Sequence, residues 1–444
     1  MKFKNKIKMD FETIELFKKM SSIIPKELKN SQIPAYSAMS KGENVFLTGS
    51  AGSGKTYLIK LFVQNFKNYI KIGVTSTTGT SALLINGTTL HSYLGIGFGD
   101  AEIEILYKKI IKFGWLVKRW KELYCLIIDE ISMLKPELFD KLEELARIIR
   151  GNDKYFGGIQ LIVSGDFCQL PPIGASYFCF EAESWKNCIT NTIYLNKIFR
   201  QCDDKFQNIL TKLRLGIVDK EVKYTLNNCI NKKLENEFGI KPTRLFSLNK
   251  QVNELNEKEL DLLSASNCDF YEYRMELVVI KVTDSPSALK QKFLKNTIFS
   301  EEIQLCVGAQ VMLLINLDLG NGLANGSRGV ITDFIDDFPV VKFLNGQQRI
   351  IDYHVWEIEE NGKPILRIKQ IPLKIAFAVS IHKVQGSTLE YVEMDLSNIF
   401  EFGQAYVALS RVKSLEGLSI IGIDYNLIKA HPKAIEYYSN IKIE

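Results

Sequence analysis

Apolar residues along this chain fall into two alternating rhythms. Short, nearly unbroken apolar runs at 44–47, 70–75, 123–129 and 160–164 each lead into a polar loop or a stretch with helical spacing. Runs of four to eight apolar residues suit strands buried on both faces, and their alternation with helical spacing predicts a doubly wound, mostly parallel sheet. Residues 11–29 carry spaced apolar positions and predict an amphipathic helix. After about residue 200 the pattern resets. Helical spacing runs to about 235, and a strand-like stretch follows at 243–248. From about 270 to 372 the chain becomes strand-rich, with turn signals at Asn325-Gly326, Asn345-Gly346 and Asn361-Gly362. Alternation returns over 375–423. The expected order is a first α/β domain over 1–190, the start of a second over 191–265, an inserted β module over 266–372 and the rest of the second domain over 373–444.

The length of 444 residues supports this division, because single cores stop growing near 250–300 residues. Apolar residues make up 46% and charged residues 24%, an ordinary globular balance. No apolar run approaches the roughly 18 residues that a membrane span needs. The eight cysteines include no Cys-x-x-Cys pair, and there are only four histidines, so the spacing of a zinc finger is missing. Free thiols in a reducing compartment are expected, with the protein intracellular (nucleus, cytoplasm or a viral replication site) and not secreted. A net charge of +5 is too mild to argue for nucleic acid by itself. That argument rests on motifs.

Gly49-Ser50-Ala51-Gly52-Ser53-Gly54-Lys55-Thr56 follows an apolar run and opens a helical stretch. It fits G-x-x-x-x-G-K-[ST], a loop whose backbone N–H groups turn inward around phosphates at a helix N-terminus. Lys55 then reaches the β- and γ-phosphates, and the Thr56 hydroxyl is a magnesium ligand. The run Leu126-Ile127-Ile128 ends in Asp129 and Glu130. Asp129 is expected to hold magnesium through its water shell, and Glu130 to polarise the attacking water. The chain has no Asn-Lys-x-Asp guanine-reading motif, so ATP is the expected nucleotide. Gln169, in the turn Gly165-Asp166-Phe167-Cys168-Gln169-Leu170-Pro171-Pro172, is placed to sense the γ-phosphate. Phe167 reads either as a base-stacking ring or as a core aromatic. The dense polar stretch His382-Lys383-Val384-Gln385-Gly386-Ser387-Thr388 suits a loop on phosphates and a nucleic-acid backbone, with Ser387 and Thr388 as donors. Arg200 and Arg411 are candidate arginine fingers.

Together these motifs resemble helicases of the PIF (petite integration frequency) family, of the RecD-like, 5′-to-3′ branch of superfamily I. The likeness runs from about residue 32 to 422. It is most specific in Asp129-Glu130-Ile131-Ser132-Met133-Leu134, the amphipathic stretch 138–150, and Phe156-Gly157-Gly158-Ile159-Gln160. The resemblance implies two RecA-like domains with an inserted Src-homology-3-like β-barrel, serving as brace, and a wedge after His91. It implies a motor, able to act as a monomer, that hydrolyses ATP with magnesium, moves 5′-to-3′ on single-stranded DNA and unwinds duplexes or G-quadruplexes in genome maintenance. Partners would be single-stranded DNA and single-strand/duplex junctions, with no membrane.

By the same resemblance Gln32 reads adenine, and Gly386 belongs to the ATP site. Thr75, Thr77, Thr78, Gly79, His91, Asn249, His382, Lys383 and Gln385 touch DNA. Gly308 to Met312 and Asn325 to Gly329 match the stretch near the barrel. Val384 stands where the family usually has Ser, and Ser81 where Ala is common; neither removes a catalytic group. Three readings stay open beside the DNA helicase. One is a translocase that does not unwind; another is a non-motor P-loop ATPase, which would need the early motifs but not 382–388 or Arg411; the third is RNA as the track, since phosphate contacts alone do not exclude it.

Overall fold

A computed structural model describes residues 23–441, except 30, 98, 173, 175, 176, 235–239, 267, 280–300, 316, 319, 320, 324, 361 and 362. The described residues form two compact units, one of 23–199 with 431–441 and one of 200–430. Most of the expected helix at 11–29 lies outside the described residues, and 23–29 form a turn and not helix.

In the first unit six strands form one parallel sheet in the order β3-β2-β4-β5-β1-β6. They are β1 (Val45–Thr48), β2 (Ile72–Ser76), β3 (Thr88–Thr89), β4 (Cys125–Asp129), β5 (Gln160–Gly165) and β6 (Asn191–Tyr194). Every residue of β1, β4 and β5 is buried, as the unbroken apolar runs require. On one face the helix Lys55–Phe66 buries Leu58, Ile59, Phe62 and Phe66, one stripe at helical spacing, against Tyr36 and Met39 of the helix Gln32–Ser40. On the other face the helix Pro136–Arg150 buries Leu138, Phe139, Leu142, Leu145, Ala146 and Ile149. Pro136 opens that helix, and Gly151, at φ 59°, closes it in the left-handed region.

Two boundary expectations are corrected here. Residues 191–194, expected to begin the second domain, form β6 and pair in parallel with β1, giving that strand a partner on its second edge. Residues 431–441, expected in the second domain, belong to the first unit. Ala434 and Tyr438 of the helix Pro432–Ser439 lie in its core, and Tyr437 stacks on Phe180. The apolar spacing of this helix marks a buried face but not the sheet that buries it.

The second unit holds a four-stranded parallel sheet made, in spatial order, of Ala378–Ser380, β7 (Thr243–Phe246), Val392–Leu396 and Leu418–Ile423. Between β7 and the strand Ala378–Ser380 come the helix Asn249–Ser264 and an antiparallel module. Its largest sheet among the described residues has five strands, with β8 (Arg328–Ile335) and β9 (Phe338–Phe343) as the central hairpin. Asp336 and Asp337, both at positive φ, make the tight turn. Arg328 is buried and donates to the carbonyls of Tyr391 and Lys241 and to Gln310 Oε1, so the conspicuous Arg of 325–329 is a structural tie. Asn256 exchanges two side-chain bonds with the backbone of Ala378 and fastens the long helix to the strand Ala378–Ser380.

Candidate active site

β1 ends at Thr48 and the chain turns at once into the loop 49–54. Gly49 has φ 141°, and a Cβ there would lie 2.4 Å from the Leu195 carbonyl oxygen. No side chain fits. Gly54 has φ 88° and precedes the first helical residue, Lys55, so the helix N-terminus faces the loop. The Lys55 ammonium donates to the carbonyls of Gly49 at 2.7 Å and Ser50 at 3.1 Å. A cation thus sits inside a ring of backbone, at a helix end whose dipole also favours anions.

β4, two strands away in the sheet, delivers Asp129 and Glu130 to the same carboxyl edge. Asp129 is buried, and burial holds its carboxyl up at about 7, with the neighbouring Glu130 carboxylate adding to the rise. The Ser164 hydroxyl, the Glu130 backbone and the Lys55 charge pull the other way. A buried acid held this high is a site whose anion lacks compensation, and a divalent cation would supply it. Glu130 sits at φ 54°, unusual for a residue with a side chain. Thr77 Oγ1 and the Met133 N–H both donate to its carbonyl and hold it there.

β5 delivers the third element. Asp166 Oδ1 accepts the Cys168 N–H, and its carbonyl accepts the Gln169 N–H, which fixes the turn. Gln169 is buried, and its Oε1 has no hydrogen-bond partner among the described residues. A buried amide oxygen is seldom left so, and a ligand is one way to satisfy it.

Gln32 and Phe199 flank the start of the helix. Gln32 Nε2 lies 2.8 Å, and the Phe199 ring 3.6 Å, from where a Gly54 Cβ would stand. Lys29 N–H donates to Gln32 Oε1, and Phe199 N–H to the Gly52 carbonyl. Phe199 keeps 44% of its surface exposed. Sequence reasoning missed this ring; the only signal was an aromatic directly before Arg200-Gln201.

The expected DNA-contacting residues divide sharply. Phe167 is fully buried among Phe46, Phe178, Phe180, Trp185 and Tyr437, so the core reading holds and base stacking is excluded. Thr75 is also fully buried, its hydroxyl donating to the Ile127 carbonyl, because the β2–β4 edge needs that bond and no surface is left. Gln385 is buried, and the largely buried Ser387 gives its hydroxyl to Val384, so neither offers a side chain to a strand. Thr77, Thr78, Gly79 and His91 are half-buried; Asn249, Lys383 and Thr388 are exposed. His382 is half-buried beside Glu401, Nε2 to Oε2 3.1 Å. Lys374 was missed: burial, then the charge of adjacent Lys383, lowers its ammonium to about 8.

Both candidate fingers lie in the second unit and both are engaged. Arg200 donates to Thr388 Oγ1, the Ser410 carbonyl and the Gly386 carbonyl. Arg411, 2% exposed, donates to the Val407 carbonyl and Ser410 Oγ. Among the described residues no helix is long and apolar enough to cross a membrane, and no cluster of three metal-binding side chains occurs.

Comparison with known proteins gives a consistent result. Residues 26–224 match the family described as PIF1-like helicase, and residues 288–334 the DNA helicase Pif1 2B domain. The ATP-dependent DNA helicase PIF1 of Xenopus laevis is 40% identical over 436 residues, covering 96% of this chain and 67% of the frog protein. This chain therefore spans about two thirds of that relative's length. The crystal structure of Pif1 helicase from Candida albicans is 35% identical, covers 95% of this chain and 100% of its own, and has a TM-score of 0.78. That of Pif1 helicase from Bacteroides in complex with ADP-AlF3 and ssDNA is 27% identical, covers 94% and 97%, and has a TM-score of 0.65.

Proposed function

The chain belongs to the PIF1-like helicase family, and on that premise we propose that it is an ATP-driven motor that moves 5′-to-3′ along single-stranded DNA and unwinds duplexes ahead of it. The observation that carries this reading is the convergence of Lys55, Asp129, Glu130 and Gln169 at the carboxyl edge of one parallel sheet. Ligands bind at that edge in open α/β sheets.

In this reading the loop 49–54 and the helix N-terminus hold the phosphates, and Lys55 exchanges its carbonyl partners for β- and γ-phosphate oxygens. The adenine lies against the exposed face of Phe199, with the Gln32 amide reading its edge. Glu130 accepts a proton from the attacking water as its oxygen bonds to the γ-phosphorus and the bond to the ADP oxygen breaks. Gln169, its buried oxygen unsatisfied, registers whether the γ-phosphate is present. Magnesium fits the donor set. The Thr56 hydroxyl and, through water, the uncompensated Asp129 carboxylate would hold it, and it supplies charge neutralisation on the phosphate oxygens. Arg200 or Arg411 is the finger that offsets charge in the transition state. Lys383, Thr388, Asn249, Thr78 and His91 hold the DNA backbone without reading sequence. Differential contacts to the γ-phosphate then bias two states of the motor.

Strand separation tests the proposal, with a fluorescent duplex bearing a 5′ single-stranded tail set beside one with a 3′ tail. Unwinding of the 5′-tailed duplex alone is expected. Unwinding of the 3′-tailed one alone would keep a motor and reverse its direction. DNA-stimulated hydrolysis without strand separation would reduce the reading to a translocase, and neither activity would leave a non-motor ATPase.

A further inference from the structure

β1 and β5 run side by side, and their ladder ends at the pair Thr48 and Gly165. Beyond it the two chains part. One enters the loop 49–54; the other turns through Asp166 to Gln169. Each carries part of the proposed chemistry, so their separation must be held after the backbone ladder has stopped.

A side chain from the far end of the sequence spans the gap. Tyr438 Oη lies 2.6 Å from Thr48 Oγ1 and accepts the Phe167 N–H at 3.0 Å. A phenol has one donor and acceptor capacity besides, so one hydroxyl can serve both strands. Thr48 and Phe167 are fully buried, and Tyr438 is nearly so. Its helix is anchored independently of this hydroxyl. Tyr437 stacks on Phe180 with centroids 4.2 Å apart, and Lys433 pairs with Glu181 at 2.5 Å.

We propose that Tyr438 is a positioning residue for ATP hydrolysis: its hydroxyl fixes the end of β1, and so the phosphate loop, at a set distance from the turn that carries Gln169. The inference rests on the ATP-hydrolysis reading above. It assigns a task to the return of the chain to the first unit, which a purely structural anchor at Tyr437 and Lys433 does not need.

The test uses the full chain and three variants, Tyr438→Phe, Thr48→Val and the double variant, assayed with ATP and single-stranded DNA where all remain folded. Tyr438→Phe removes one oxygen and keeps the ring. It is expected to lower kcat on the order of ten- to a hundredfold, with KM for ATP within about threefold. Thr48→Val breaks the link from its other end and should act in the same direction. The double variant should be no slower than Tyr438→Phe, since both changes remove one connection. Unchanged kcat in Tyr438→Phe beside a lowered melting temperature would make the hydroxyl structural only. A raised KM with normal kcat would move its role to nucleotide capture. Both results overturn the proposal. Lys55→Ala separates the two levels. If wild type does not hydrolyse ATP, or Lys55→Ala hydrolyses as well as it does, the ATPase reading has failed. If wild type is active, Lys55→Ala inert and Tyr438→Phe normal, only the positioning role has failed.

Discussion

The motif residues of the two units differ in what their polar groups already hold. In the first unit they are poised for something external. Lys55 rests on its own loop, Asp129 is a buried acid pushed up to about 7, and Gln169 carries an unsatisfied buried oxygen. In the second unit the two motif arginines and Ser387 are held by neighbouring motif residues. Arg200 binds Thr388, Ser410 and Gly386; Arg411 binds Val407 and Ser410; Ser387 binds Val384. A dense polar motif can therefore be a site awaiting a ligand or a knot that shapes a loop, and spacing alone does not distinguish them.

The largest expected effects test the first half of that contrast. Lys55→Ala should lower ATP hydrolysis by about a thousandfold or more, as loss of a positioned charge on the transition state implies. Glu130→Gln should slow turnover by about a hundredfold or more while a fluorescent ATP analogue still binds. Normal turnover in either would show that the convergence at the sheet edge is incidental.

The arginines test the second half. Each variant, Arg200→Ala and Arg411→Ala, should lower kcat on the order of a hundredfold or more if it removes a finger. The burial of Arg411 and its bonds to Val407 and Ser410 also tie it to the fold, and a loss of about 2 kcal/mol or more in urea unfolding of Arg411→Ala is expected. A lowered midpoint with a normal rate would make Arg411 a clamp and leave the finger to Arg200.

Phe199 is a smaller case, a ring that stays 44% exposed with the Lys197 ammonium 5.5 Å from its centroid. Phe199→Ala should raise KM for ATP about three- to tenfold with kcat little changed, since stacking on an aromatic contributes about 1 kcal/mol or more. Equal KM values in steady-state assays would take the ring out of the nucleotide site.

How much of this was legible follows the same divide. The sheet of the first unit, its phosphate loop and its acid pair were read from local sequence, because burial on both faces leaves an unbroken apolar run and phosphate binding needs glycines at fixed positions. What failed was non-local. The destination of the helix Pro432–Ser439 is set by partners about 250 residues away, Phe180 against Tyr437 and Glu181 against Lys433. Thr75, Phe167 and Gln385 match a binding pattern by type and position, yet each is buried in the fold. The hairpin turn Asp336-Asp337 carries no Asn-Gly signal, because two aspartates take the left-handed conformation instead.

Lys374 and Lys383 give the finest test, because here the second unit does hold a group without compensation. Burial, and next to it the charge of Lys383, keeps the Lys374 ammonium near 8, below the usual lysine range. Two adjacent cations invite a phosphate between them, and a bound phosphate would favour the charged form and raise that value. The sign follows from linkage. DNA binds the protonated form better, so affinity is fully present below about 8 and falls as pH rises through the free-state value toward the bound-state one. Single-stranded DNA binding, followed by fluorescence anisotropy at constant salt, should weaken about threefold or more between pH 7 and 9. Lys374→Met should bind more weakly at pH 7 and lose most of that pH dependence, because the group whose ammonium is lowered to about 8 is gone. If the variant keeps the full pH dependence, Lys374 does not face the strand, and the charge pair is a feature of packing like the arginine knots beside it.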